Sequence, residues 1–217
     1  MKIGILGTGI VGNTIGTALL KKGHQVMMGS RNANNEKAAA WVKTNDSKAS
    51  QGSFEDAAIF GEIIFNCTKG EHSIEVITTA ANNLAGKILI DVSNPLDFSK
   101  GMPPTLFLSN DTSLGETIQN KFPDLKVVKA LNTLSCTVMI DPAIISNGDH
   151  NLFICGNDID AKKMVIQLLH DDFGWKTENI IDLGDITNAR GTEQILPLWI
   201  RLFMVFGNAD FNFKIAR

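Results

Sequence analysis

Three glycines near the start of the chain have the spacing of a phosphate-binding turn. The turn follows the apolar run Lys2–Leu6 and reads Gly7-Thr8-Gly9-Ile10-Val11-Gly12. An amphipathic stretch over residues 10–22 comes next. A buried strand, a tight turn and a helix N-terminus in this order bring backbone N–H groups and the helix dipole to a pyrophosphate. We therefore predict a dinucleotide site here; the alternative is a glycine-rich turn without a ligand.

The residues at the end of the expected second strand select between two forms of such a dinucleotide. An NAD-binding protein places Asp or Glu about twenty residues after the turn. This chain has Met28-Gly29-Ser30-Arg31-Asn32 instead, with no carboxylate. The Arg31 guanidinium suits a 2′-phosphate, and Ser30 offers a hydroxyl donor. The segment therefore favours NADPH over NADH, unless Ser30 and Arg31 only cap the next helix and face water.

The elements that must position these residues alternate along the chain. Short apolar runs separated by amphipathic stretches indicate an α/β fold: a doubly wound, mostly parallel Rossmann sheet with a small C-terminal α/β extension. We expect a dinucleotide-binding domain over residues 1–148 and a small segment over 149–217 packed on it. We expect the second strand over residues 25–28, a long loop over 97–112 and one long final helix over 189–206.

Three expected strands end in small or polar residues. These ends are Cys67–Thr68, Ser93–Asn94 and Leu131–Asn132. The carboxyl ends of parallel strands share one sheet edge, where ligands bind in α/β proteins. Cys67, Thr68, Asn94 and Asn132 are therefore candidate cofactor-binding residues. We expect Cys67 to be a small buried apolar residue and not a redox thiol.

Composition excludes several classes of function. The net charge is −3, with 44% hydrophobic and 20% charged residues, so neither nucleic acid nor an anionic membrane is an expected partner. Tyrosine is absent, which excludes mechanisms that use a phenol as general acid, as in short-chain dehydrogenases. Three separated cysteines without a CxxC pair predict no disulfide and no metal site and fit a cytoplasmic protein. The glycines after Lys2 argue against a signal peptide, and the apolar run over 195–206 is too short to span a bilayer.

The histidines give little indication of a functional role. His72 follows a strand end and could donate to a ribose or a ring carbonyl, or lie exposed on the first turn of a helix. His24, His150 and His170 are expected at the surface. Asp171 and Asp172 are expected at a solvated helix end.

The expected final helix is apolar around most of its circumference. It carries Leu196, Leu198, Trp199, Leu202, Phe203, Val205 and Phe206. Such a helix must be covered on several sides. The cover is either the rest of the monomer or a second copy of the chain, and a homodimer through this helix is our hypothesis.

The chain resembles, nearly end to end, the coenzyme F-420-dependent NADP oxidoreductase family. The segments that carry the resemblance are the turn at residues 7–12, Gly29-Ser30-Arg31, residues 91–96 (DVSNPL), residues 127–133 (VVKALNT), and the terminal pattern of Asn188-Ala189-Arg190, Glu193 and residues 196–199 (LPLW). The resemblance implies a small NADPH-binding protein that exchanges hydride with a deazaflavin. The cytosolic domain of the six-transmembrane ferric reductases is similar in fold.

The resemblance also implies cofactor contacts at matching positions. Thr8, Ile10 and Val11 would line the pyrophosphate turn, and Ser30 and Arg31, with Asn32 beside them, would hold the 2′-phosphate. The other implied contacts are Thr68 and His72 at the ribose, Asn94 and Pro95 at the nicotinamide, and backbone near Ala130 at the carboxamide. Archaeal members carry an apolar-proline-aromatic run where this chain has Thr68-Lys69-Gly70. The second substrate is therefore expected to be a deazaflavin (coenzyme F-420) or a flavin.

Hydride transfer between such rings needs no protein nucleophile, because the cofactors carry the chemistry. The protein supplies the stacking of the rings and the distance between them. We accordingly predict no catalytic acid, base or nucleophile. Two other functions remain open: a reductase of a small carbonyl or imine substrate, and a non-catalytic NADPH sensor. A crevice that admits a planar ring favours hydride transfer, whereas a crevice filled by Phe or Trp favours the sensor.

Overall fold

The computed structural model describes residues 1–45 and 47–217, and its centre is an eight-stranded sheet in the order β10-β9-β8-β5-β4-β1-β2-β3. The sheet strands are β1 (Lys2–Leu6), β2 (Gln25–Ser30), β3 (Ala49–Ser53), β4 (Ile63–Asn66), β5 (Ile88–Asp91), β8 (Lys126–Ala130), β9 (Leu152–Gly156) and β10 (Ile180–Asp182). Neighbouring strands are parallel except for β8 and β9, which are antiparallel. The chain leaves β1 toward β2 on one side and returns to β4 on the other. This confirms the doubly wound Rossmann prediction and places a ligand crevice at the carboxyl ends of β1 and β4.

Helices cover both faces of the sheet. They are α1 (Ile10–Lys21), α2 (Glu36–Thr44), α3 (Phe54–Phe60), α4 (Gly70–Ala80), α5 (Leu114–Lys121), α6 (Cys136–Ile140), α7 (Ile159–Phe173), α8 (Ala189–Gln194) and α9 (Leu196–Phe206). Short 3₁₀ turns span Ala81–Asn83, Pro142–Ile144, Ser146–Gly148, Thr177–Asn179 and Ile186–Asn188. Across residues 1–45 and 47–217, no helix is both long enough and apolar enough to cross a membrane.

The core has two layers because successive strand residues point to opposite faces. In β1, Ile3 and Ile5 pack with α1, α2, α6 and α7, whereas Leu6 packs with α3, α4 and α5. Both faces of the parallel strands are therefore buried, which explains their continuous apolar runs. A buried Trp41 on α2 donates from Nε1 to Thr17 Oγ1 at 3.0 Å and fixes α2 against α1.

The sequence predictions missed the edge strand β3, the helix α6 and a hairpin that forms a separate two-stranded sheet. The edge strand β3 was missed because its sequence, ASQGS, lacks the apolar and β-branched residues that mark a strand. The loop predicted over residues 97–112 was also incomplete: β6 (Leu96–Asp97) and β7 (Thr105–Leu106) form an antiparallel hairpin within this region. β2 runs to Ser30, two residues beyond the predicted Met28.

The prediction of one long helix over residues 189–206 was wrong. The chain forms α8 and α9, separated at Ile195. Pro197 lies at the first turn of α9 and has no N–H to donate to the preceding turn. Residues beyond α9 return to the sheet, where Asn151 N donates to Phe213 O at 3.0 Å.

Two histidine predictions were wrong as well. His150 is buried, with Nε2 at 2.9 Å from Pro142 O and its ring edge-on to Trp175. His24 lies 2.9 Å from the Asp172 carboxylate and is only partly exposed. In both cases a long-range partner, invisible in the local sequence, covers the ring. His170 is exposed, as predicted.

We predict that replacement by alanine lowers the stability of the protein at Gly12 but not at Gly9. A Cβ at Gly12 would lie 2.5 Å from Gly7 O and 3.1 Å from Ile5, whereas a Cβ at Gly9 meets nothing within 4 Å. Gly12→Ala should therefore destabilise the ligand-free protein by about 1–3 kcal/mol. Gly9→Ala should change stability by no more than about 0.5 kcal/mol. Urea unfolding of the two variants measures this, and equal stabilities would contradict it.

Candidate functional site

The glycine turn joins β1 to α1 under tight steric limits. Gly7 has a φ of +121°, which an L side chain rarely adopts, and its N–H donates to Gly29 O at 3.0 Å. A Cβ at Gly7 would also lie 2.8 Å from Cys67 O. The turn is thus held against the ends of both β2 and β4, at the point where the crevice opens.

The N-terminus of α1 is suited to binding an anion. Gly9 is its N-cap, no side chain caps it and no acidic residue lies in its first turn. The first N–H groups of a helix have no intrahelical partner, so they and the helix dipole are available to a phosphate. The open space around Gly9 allows a pyrophosphate to approach the backbone, whereas a side chain there would occupy that space. The predicted residues Thr8, Ile10 and Val11 surround this opening, and Ile10 is exposed.

The end of β2 places Arg31 at the rim of the crevice. Arg31 is exposed, and its guanidinium lies 3.6 Å from the Glu75 carboxylate on α4. Ser30 is buried and donates to Asn32 O at 2.5 Å, so its proton is engaged within the loop. Asn35, and neither Ser30 nor Arg31, caps α2. The capping alternative is therefore wrong, and the exposed Arg31 has Glu75 as its acidic neighbour.

His72 lies on the same side of the crevice. It is exposed on the first turn of α4, with ring nitrogens 3.6 Å from the Glu71 carboxylate and 3.9 Å from that of Glu75. Glu75 therefore stands between Arg31 and His72. A dianionic ligand group at this corner would compete with Glu75 for the Arg31 cation.

The end of β4 is organised by Asn66, which sequence reasoning missed. Thr68 donates from Oγ1 to Asn66 Oδ1 at 2.6 Å. Asn66 Nδ2 donates in turn to Asp91 Oδ1 at 2.8 Å and to Ser73 Oγ at 3.1 Å. The amide side chain thereby fixes Thr68, the first turn of α4 and the end of β5 to one another.

The ends of β5 and β8 are joined by an asparagine pair. Asn94 Nδ2 donates to Asn132 O at 2.8 Å, and Asn132 Nδ2 donates to Asn94 Oδ1 at 3.0 Å. Asn132 Oδ1 is buried and has no hydrogen-bond partner within residues 1–45 and 47–217. Leu131, just before it, has a φ of +64°. An unpaired buried acceptor beside a strained residue is suited to an amide donor of a ligand, such as a carboxamide.

The remaining predicted residues lie behind these groups. Ala130 ends β8 and Pro95 follows Asn94; both are buried. Cys67 follows β4 behind the glycine turn, and burial, followed by the charge of Asp91, raises the pKa of its thiol. The thiol is therefore protonated at neutral pH and packs as a small apolar group, as the sequence predicts.

A cleft of about 180 Å³ opens at this edge of the sheet. It is lined by Thr68, Lys69, Gly70, Glu71, Val92, Ser93, Asn94, Leu96 and Phe98. Phe98 is the one aromatic residue among them, and 54% of it is exposed. It stands on the β6–β7 hairpin, where Met102 and Phe107 are also exposed. The cleft is thus open, with an apolar rim against which a flat ring can pack.

Beneath the cleft lies a buried charge cluster that the sequence analysis did not assign to the site. Lys129 on β8 contacts Asp91 and Glu193, each at 2.8 Å. The local signals are a lysine in the interior of the strand KVVKA and an aspartate at the end of ILID, and all three residues lie in segments that carry the family resemblance. Glu193 lies far along the chain, so the cluster exists only in the folded protein.

Comparison with known proteins agrees with this geometry. Residues 2–95 match the family described as "NADP oxidoreductase coenzyme F420-dependent". The chain is 34% identical to the F420-dependent NADP reductase of Methanocaldococcus jannaschii, and the match covers 100% of this chain and 98% of that protein. It is 32% identical to the metalloreductase STEAP3 of Rattus norvegicus over 91% of this chain, but spans only 38% of the rat protein.

A solved structure from Arthrobacter sp. FB24 has the same architecture. It is provisionally described as an F420-dependent NADP-reductase, is 48% identical and superposes with a TM-score of 0.93 over 100% of both chains. Because the similarity to the Methanocaldococcus protein runs through the whole of both sequences, this chain belongs to the F420-dependent NADP reductase family.

Proposed function

We propose that this protein is an NADPH-dependent oxidoreductase that transfers hydride between NADPH and the ring of a deazaflavin or flavin. Its membership of the family supports the reaction class and NADP as the cofactor. The observation that carries the proposal to this chain is the position of three features at the carboxyl ends of neighbouring parallel strands. They are the uncapped N-terminus of α1 after β1, the exposed Arg31 after β2, and the open cleft at Asn94 after β5.

Each part of the crevice matches one part of NADP. The turn at Gly9 accepts the pyrophosphate, and Arg31 binds the 2′-phosphate with the nearby Ser30–Asn32 loop as its support. Thr68 and His72 border the ribose. Asn132 Oδ1, buried and without a partner in the described chain, accepts a hydrogen bond from the carboxamide, and the backbone at Ala130 lies next to it. Asn94 and Pro95 form the wall beside the nicotinamide.

NADPH held by these residues would supply a hydride to the acceptor ring, and the proton that completes the reduction would come from solvent. We predict that no residue of the chain acts as a catalytic acid or base in this step. Its contribution is the distance and angle between two rings, and this positioning accounts for much of the rate of such reactions. The Asn94–Asn132 pair fixes one wall of the cleft, while Phe98 on the hairpin covers the ring and excludes water.

The open cleft weighs against the sensor alternative, because no Trp lines it and its one Phe stands at the rim. We propose that residues 149–217, whose strands β9 and β10 extend the sheet, pack on the dinucleotide-binding part at residues 1–148. We further propose a cytoplasmic protein with small-molecule substrates.

The reaction is tested by mixing the protein anaerobically with NADPH and, separately, coenzyme F-420, FMN and FAD. We expect loss of the nicotinamide absorbance together with reduction of one acceptor class, and the reverse reaction with NADP and the reduced acceptor. Tight NADPH binding without turnover of any acceptor would contradict the proposal and support the sensor or a different substrate.

The preference for the phosphorylated cofactor is tested at Arg31. Because a charge-assisted hydrogen bond contributes about 1.5–3 kcal/mol, Arg31→Ala should weaken NADPH binding about 10- to 100-fold and NADH binding little. Gly9→Ala is the matched control: it obstructs the pyrophosphate, which both cofactors share, and should weaken both equally. Titration calorimetry gives the four affinities. Equal losses of NADPH and NADH in Arg31→Ala would refute the assignment.

We also propose that two copies of the chain pair through α9. Burial of α9 within the monomer is incomplete: Leu196 and Ile200 are buried, whereas Leu198, Phe203, Met204, Val205 and Phe206 are exposed. Val205 is 78% exposed. Trp199 Nε1 is buried and has no hydrogen-bond partner in the described chain. A contiguous apolar surface of this kind is characteristic of a protein interface, and a second α9 offers an equally apolar face.

Sedimentation velocity tests the pairing. The wild type should sediment as a dimer at micromolar concentration, and Val205→Glu should sediment as a monomer because it places charge in the interface. Ile159→Glu is the control, since Ile159 is 66% exposed on α7, away from α9. A wild-type monomer, or dissociation by the control to the same extent, would overturn the proposal.

A further inference from the structure

Lys129, Asp91 and Glu193 form a charge cluster that is shut off from solvent. The side chains of Lys129 and Asp91 are 0% exposed and that of Glu193 is 2% exposed. Lys129 Nζ uses all three of its donors, at 2.8 Å to Asp91 Oδ2, 2.8 Å to Glu193 Oε1 and 2.6 Å to Ser93 O. Burial alone would lower the pKa of Lys129, but Asp91 and Glu193 outweigh it and raise the pKa above its usual value. The two carboxylates therefore favour the charged form of Lys129.

The carboxylates are held from their other sides as well. Asp91 Oδ1 accepts from Ser93 Oγ at 2.7 Å, besides the bond from Asn66. Glu193 accepts from the first N–H groups of α5, from Leu114 at 2.7 Å and Gly115 at 3.0 Å. No polar atom of the cluster is free to bind a ligand directly.

The cluster is part of a closed ring of hydrogen bonds and chain connections that surrounds one wall of the crevice. Lys129 holds the carbonyl of Ser93, and the next residue, Asn94, is paired with Asn132. Asn132 Nδ2 also donates to Thr192 O at 3.2 Å, and Thr192 precedes Glu193, which returns to Lys129. The ring therefore joins the ends of β5 and β8 to α8.

Stability alone does not explain a charge at this position. The neighbours of Lys129 in β8 are Val127, Val128 and Ala130, all buried and apolar. Apolar replacement of a buried ion pair is often neutral or stabilising, because the desolvation of the charges is large. Unlike an apolar residue, Lys129 fixes the Ser93 carbonyl and the distance between β5 and α8.

We propose that Lys129 is a positioning residue for hydride transfer, which sets the Asn94–Asn132 wall through Ser93 and Glu193. This inference rests on the proposed function. It separates two properties of the site: NADPH affinity, carried mainly by the phosphate contacts at Gly9 and Arg31, and nicotinamide orientation, carried by the ring of contacts. Loss of Lys129 should disturb the orientation of the nicotinamide and leave the affinity for NADPH nearly unchanged.

The test compares Lys129→Met with a matched variant, Lys162→Met. Lys162 is also a buried lysine, bonded to Asp182 and to Gly184 O at 2.8 Å each, but it lies on α7 outside the crevice. Lys129→Met should change the NADPH dissociation constant by less than about threefold and lower the single-turnover rate of hydride transfer about 10- to 100-fold. The isotope effect with NADPH deuterated at the transferred position should rise. Lys162→Met should leave rate and isotope effect unchanged, whatever its loss of thermal stability.

A second readout needs no acceptor. The fluorescence lifetime of bound NADPH reports immobilisation of its reduced nicotinamide, and it should shorten in Lys129→Met but not in Lys162→Met. If the wild type reduces no acceptor, the proposed function fails, while the lifetimes still test the positioning role. Should Lys129→Met not fold, the double variant Lys129→Met/Glu193→Gln removes one positive and one negative charge together and is measured in the same way. Equal effects of the lysine variants on rate and lifetime, or a loss of NADPH affinity as large as the loss of rate, would overturn the inference.

Discussion

Parallel strands that end side by side bring polar groups together where water is scarce, and those groups must satisfy one another. In this protein the ends of β4, β5 and β8 do so through Asn66, Asp91 and Lys129, which link to one another by hydrogen bonds of 2.8 Å. Glu193 extends the network to α5 and α8. Because an unpaired buried charge is costly, each member fixes the position of the next. The wall of the cleft has its shape because this network has one satisfied arrangement.

The phosphate end of the crevice depends on a different constraint, the absence of side chains. Gly7 is required by its backbone conformation and Gly12 by the closeness of Gly7 O, whereas a Cβ at Gly9 would meet no atom within 4 Å. The turn can therefore form before any cofactor arrives. In the proposed function, specificity at this end comes from the exposed charge of Arg31, for which a phosphate would compete with Glu75. The charged groups are thus exposed at this end of the site, whereas those beneath the cleft are buried.

The last part of the chain serves both the site and the surface. Glu193 and Thr192 of α8 belong to the network beneath the cleft, while α9, which follows Ile195, exposes several of its apolar residues. A pairing through α9 would therefore act close in sequence to the residues that hold Lys129. This proximity gives the apolar helix a structural connection to the wall of the cleft.

The local sequence determined the parts of this protein that short-range physics controls. A glycine turn between an apolar strand and a helix, and an arginine in place of an acidic residue after β2, were readable because neighbouring residues decide their conformation. Alternation of apolar and amphipathic runs was enough to predict the order of most strands and helices. The polar edge strand β3 and the break at Ile195 were missed, since one gains its structure from pairing and the other from a single proline.

Only the tertiary structure decided which polar residues meet. Asn94 and Asn132 were recognised as strand ends, but their mutual hydrogen bonds depend on β5 and β8 lying side by side. The roles of Asn66, Lys129 and Glu193 depend on contacts between segments far apart in the chain, as does the burial of His150. Residue types show which groups must be satisfied when they are buried. The packing of the sheet determines the partners that satisfy them, and so the form of the site.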